Sequence, residues 1–127
     1  MQNLPEKTLA AIGRMTVAAT DLEYLLAWIG ADRAGGDAAT IFAQPGEALV
    51  AARGSIQFTA VQHREELITA VEGAGTQLAL SHAALRRLWR DDIQADPAIF
   101  DDIAGQLQRC RTWLQNFIEA YLDTARR

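Results

Sequence analysis

Residues 97–122, PAIFDDIAGQLQRCRTWLQNFIEAYL, place Phe100, Ile103, Leu107, Cys110, Leu114, Phe117 and Tyr121 at alternating steps of three and four. That spacing keeps one stripe of a helix against a partner along its whole length. Asp96-Pro97 in front of it reads as an N-cap followed by proline at the first helical position, and Asp101 and Asp102 fall where the helix dipole favours anions. The period predicts a closing helix that runs from this cap to the end of the chain.

Working outward, the same period recurs three more times. Ile12, Met15, Ala19, Leu22, Leu26 and Ile29 form the stripe of a first helix expected from about Pro5 to Ala31, with Asn3 and Glu6 spaced as a capping box and Gly35-Gly36 in the turn that ends it. Asp37 then caps a short piece over Ala38 to Ala43, and a longer segment continues from Pro45 to about His63, with a kink expected at Gln44-Pro45. In that segment Leu49, Ala52 and Ile56 hold the period, although Gly54 and β-branched residues weaken it. A third long helix, about Arg64 to Asp91, aligns Leu67, Val71, Ala74, Leu78, Ser81, Leu85 and Leu88, and close approach by a neighbour would explain its Gly73 and Gly75. No strand alternation, repeat or low-complexity tract interrupts the pattern. The expectation is an all-α fold over one domain, residues 1–127: an up-and-down four-helix bundle with a kinked or broken second helix.

The chain has 127 residues, enough to bury a core without disulfides or metal. Cys110 is its single cysteine and lies within the last stripe, so no internal disulfide forms and a reducing compartment is expected. Neither a signal peptide nor an apolar run long enough to span a bilayer is visible, which predicts a cytoplasmic protein without membrane contact. The net charge of -4 disfavours RNA or DNA unless a local basic patch supplies the attraction.

Equipment for chemistry is sparse. Neither His63 nor His82 follows a glutamate by three residues, as a di-iron bundle requires, and one cysteine with two distant histidines serves zinc poorly. No metal or cofactor is therefore expected. Gly35-Gly36 ends a helix and does not follow a strand as a phosphate loop does, and Ser55 and Ser81 lack the setting of a hydrolase nucleophile. His63 opens the run His63-Arg64-Glu65-Glu66, where a surface or capping role is expected. His82, Arg86 and Arg90 share one face of the third helix and form a short positive strip, which either holds a phosphate or pairs with Asp91, Asp92 and the acidic start of the last helix.

The first helix carries a second apolar line. Val17, Tyr24 and Trp28 lie away from its main stripe, and Leu25 widens the surface between the two. Either this helix is central within the monomer or its outer face meets another chain. Tyr and Trp favour the latter, because they bury large area while keeping a polar tip. A homodimer, or a complex with another protein, is the expected assembly.

A long first helix with Leu22-Glu23 among apolar neighbours, a broken second region, a third helix with Leu78 to Trp89 around His82 and a closing amphipathic helix together resemble bacterial HEPN-like proteins. The resemblance implies a helical bundle, often dimeric, of the kind found in toxin–antitoxin and phage-defence systems, many of them ribonucleases. Active members pair the histidine with an arginine on the same helix, with four to six residues between them. Here those positions are Gln77, Thr76 and Gly75, and Leu78 follows Gln77 where a polar residue is common. Gln77 cannot neutralise the charge of a phosphorane-like transition state. The resemblance therefore implies a degenerate, noncatalytic member acting through an interface. The alternative is a ribonuclease or RNA-binding protein using His82 with Arg86 and Arg90.

Overall fold

A computed structural model describes residues 3–90 and 96–122, and within these the chain is all-helical. Five α-helices succeed one another: α1 (Glu6–Ala34), α2 (Ala38–Phe42), α3 (Glu47–Ser55), α4 (Arg64–Arg87) and α5 (Pro97–Phe117). Two 3₁₀ turns, Ile56–Phe58 and Val61–His63, join α3 to α4, and a π-helical turn, Ile118–Leu122, extends α5.

The expected stripes supply most of the core. Met15, Leu22, Leu26 and Ile29 of α1, Leu67, Val71, Ala74 and Leu78 of α4, and Phe100, Leu107, Leu114 and Phe117 of α5 are buried. Ile12, Leu85, Leu88, Ile103, Cys110 and Tyr121 pack half-buried at its edges. Ser81 is buried in the α4 stripe because its hydroxyl donates to the Leu78 carbonyl at 2.7 Å, which satisfies the donor without breaking the helix.

Five helices stand where four were expected, and the second region is the reason. It is broken and not kinked, with one piece over Ala38–Phe42 and the next over Glu47–Ser55. Asp37 caps α2, accepting from the Thr40 amide at 3.1 Å and the Thr40 hydroxyl at 2.7 Å, and Phe42 returns along α1 to meet Tyr24. Gly46, at φ 81°, then turns the chain in the left-handed region that glycine tolerates. α3 leaves in the opposite sense and stops at Ser55. Its direction follows from Arg53 pairing with Glu72 while Leu49 rests on Gly75, so that α3 runs antiparallel to α4.

The added reversal changes how the long helices are related. Arg14 pairs with Asp101 and Asp21 with Arg111, so both partners advance together and α1 and α5 run parallel. In a four-helix up-and-down order the first and last helices oppose each other. α4 runs against α5, bringing His63 at its start onto Tyr121 beyond the end of α5, with ring centroids 3.9 Å apart. α1 lies at the centre, in contact with α2, α3, α4 and α5.

Two terminal details also depart from expectation. The cap of α1 is Pro5, with no side-chain cap hydrogen bond, so Asn3 and Glu6 do not form the capping box. His63 occupies the N-cap position of α4 without a side-chain cap; it is half-buried and stacks on Tyr121. Asp91 and Asp92, expected partners of the arginine strip, lie outside the described residues.

Candidate functional site

α1 buries one side against α4 and α5, while α2 and α3 lean on a second side. At Gly30 the approach is close enough that a Cβ would sit 2.6 Å from the Cβ of Ala51, so only glycine allows α3 to cross there. A third side stays open. Leu9, Ala10, Gly13, Thr16, Val17, Thr20 and Tyr24 are all exposed there and none is charged, although 22% of the chain is Asp, Glu, Lys or Arg. Val17 is 70% exposed and Leu9 53%. Thr16 and Thr20 donate their hydroxyls back to the carbonyls of Ile12 and Thr16, at 2.8 and 2.7 Å, which satisfies both donors within the helix.

The interface residues expected from sequence separate into two groups on this helix. Val17 and Tyr24 lie on the open side, where with Thr16, Thr20, Asp21 and Phe42 they line a groove of about 450 Å³. Tyr24 meets Phe42 edge to face, with centroids 5.3 Å apart and planes at 72°. Leu25 is buried and Trp28 half-buried. These two turn toward α5 and share a smaller hollow, about 260 Å³, with Tyr24, Arg111, Gln115 and Ile118. Phe42 was missed from sequence. Its only signal was an aromatic residue in a helix of five residues, too short for a period to assign its face.

Along one edge of the open side run two ion pairs. Arg14 donates from Nε and Nη2 to the two carboxylate oxygens of Asp101, at 2.8 and 3.1 Å, and this fork holds the Asp101 carboxyl below its ordinary pKa. Asp21 pairs with Arg111. Both tie α1 to α5 and leave alternating charge beside the apolar surface.

The His82 strip lies elsewhere, on α4. His82 is exposed, with Nε2 3.9 Å from Glu23 Oε1 of α1, an ion pair whenever the imidazole is protonated. Arg86, Trp89 and Arg90 are exposed beyond it. Gln77, five residues upstream, projects about 140° away around the helix and so does not share the His82 face. Gly75, two turns upstream, does share it. A Cβ at Gly75 would meet the Leu49 methyls at 3.1 and 3.3 Å, so α3 occupies the place a side chain there would need. Among the described residues no three His, Cys, Asp or Glu side chains are grouped to hold a metal ion. The Cys110 thiol, half-buried in the core stripe, is pushed up in pKa by that burial. No described helix is long and apolar enough to cross a membrane. Comparison with protein-family models, curated proteins and solved structures returned no match to this chain.

Proposed function

We propose that this protein is a noncatalytic helical interaction protein, a degenerate relative of HEPN-like members of toxin–antitoxin or phage-defence systems, acting through the open side of α1 and forming a homodimer there. The observation that carries this reading is the exposed surface from Leu9 to Tyr24, uncharged except along the edge where Arg14 and Asp21 flank Val17. A face that presents Leu, Val and Tyr over about four turns, with its threonine hydroxyls already satisfied, gains from being covered and loses little polar hydration. The sequence of α4 supports the noncatalytic part, because Gly75, Thr76 and Gln77 carry no charge that α4 could set upstream of His82.

Light scattering on wild type and Val17→Glu, with RNA incubated in the same samples, tests the reading. The expected result is twice the 13.9 kDa chain mass for wild type, the chain mass for the variant, and intact RNA in both. A wild-type monomer at every concentration removes the dimer. RNA cleavage that disappears in His82→Ala overturns the noncatalytic reading in favour of a ribonuclease using His82 with Arg86 and Arg90.

A further inference from the structure

The proposed dimer has a geometry that its own face dictates. Resting on that reading, we infer that two copies pair α1 against α1 in antiparallel fashion about a two-fold axis at Val17, each copy's Leu9 entering the other's groove between Tyr24 and Phe42.

Three observations converge on this arrangement. The first is charge. A two-fold axis perpendicular to two antiparallel helices brings one edge of the face against the same edge of the other copy. Residues equidistant from the axis in opposite directions then meet, and with Val17 central, Arg14 of one copy comes beside Asp21 of the other, within a residue of register. Each already has an opposite-charge partner on α5, so the edge becomes the continuous series Asp101, Arg14, Asp21, Arg111 with signs alternating across the contact. The second is shape. Leu9 lies eight residues before Val17 and Tyr24 seven after it, so along the helix the exposed leucine of one copy arrives at the level of the groove where the other's Phe42 meets Tyr24. An exposed knob and an apolar hollow thus occupy matching distances from one point, as a self-complementary surface requires. The third is approach. Ala10 and Gly13 lie opposite Tyr24 and Asp21, and a Cβ at Gly13 would meet nothing within 4 Å in the single chain. A glycine there lowers helix propensity without gaining a contact inside the monomer, and it leaves room for the other copy.

Cysteine crosslinking tests the register. A residue on the axis meets its own copy with Cα atoms about 5 Å apart when helix axes are about 10 Å apart, within disulfide range. Two residues at position 24 would lie about 21 Å apart, counting seven residues at 1.5 Å each on both sides. Val17→Cys and Tyr24→Cys are oxidised with diamide and run on a nonreducing gel, with wild type, whose only thiol is Cys110, as the blank. The expected result is a covalent dimer for Val17→Cys alone. Crosslinking of both variants overturns the antiparallel arrangement in favour of a parallel one. A wild-type dimer that Val17→Glu dissociates, but that Val17→Cys does not trap, overturns this register and leaves the use of the α1 face standing. A wild type that is monomeric by light scattering overturns both. Circular dichroism of each variant verifies that the helices remain formed, which the exposure of Val17 favours.

Discussion

At the scale of single residues, three glycines inside helices behave differently because of what stands opposite each. A Cβ at Gly73 would meet nothing within 4 Å, so Gly73→Ala is expected to stabilise the protein by up to about 1 kcal/mol, read from the midpoint of urea unfolding. Gly30→Ala drives a methyl to 2.6 Å from the Ala51 Cβ and 2.9 Å from its backbone, and is expected to lower stability by about 1–3 kcal/mol in the same assay. Gly75 lies between them, its nearest neighbours being the movable methyls of Leu49 and, at 3.6 Å, the end of the Arg53 side chain. The sequence suggested close approach for Gly73 and Gly75 alike, and the neighbour that distinguishes them belongs to a different element. The bidentate forks of Arg14 on Asp101 and Arg53 on Glu72 hold both carboxyls below their ordinary pKa. A carboxyl depressed in the folded state contributes stability above its unfolded pKa and loses it as pH falls through the folded value. Both pairs are exposed, and water screens them. The expected outcome is a small difference in melting temperature between wild type and Glu72→Gln at neutral pH, narrowing as the pH falls below about 4.

At the scale of elements, the long helices were legible because their signals are local: α1, α4 and α5 carry a period along most of their length, and α5 has the cap that the sequence announced. Asp96 accepts from the Ala98 amide at 2.9 Å, so Asp96→Ala is expected to cost about 1 kcal/mol. Leu107 is fully buried in the α5 stripe, and Leu107→Ala is expected to cost about 2–5 kcal/mol, with chemical denaturation as the check on both. The second region was only half legible. A break near Pro45 follows from the steric demand of proline on the residue before it. Whether the chain bends or reverses there depends on Gly46 adopting positive φ and on Phe42 finding Tyr24, and neither is encoded in a helical period. The same limit explains why Phe42 escaped notice as a wall of the groove, whereas Val17 and Tyr24 were found by their spacing on α1.

At the scale of the whole molecule, association through α1 predicts a melting temperature that rises with protein concentration in wild type and is independent of it in Val17→Glu, measurable by calorimetry over a roughly hundredfold range. By itself the sequence determined the all-helical class, the long helices and the residues that line their core, since each follows from apolar spacing and caps within a few turns of chain. Tertiary structure decided the rest. One reversal between α2 and α3 adds a helix to the count, and that extra turn of direction makes α5 parallel to α1. The same folding-back lays α3 on Gly30 and Gly75, brings Phe42 to Tyr24, turns Leu25 and Trp28 toward α5, and leaves Val17 with its uncharged neighbours facing outward. Helical period specifies which residues share a side of a helix, but which side remains open is fixed only when every other helix has taken its place.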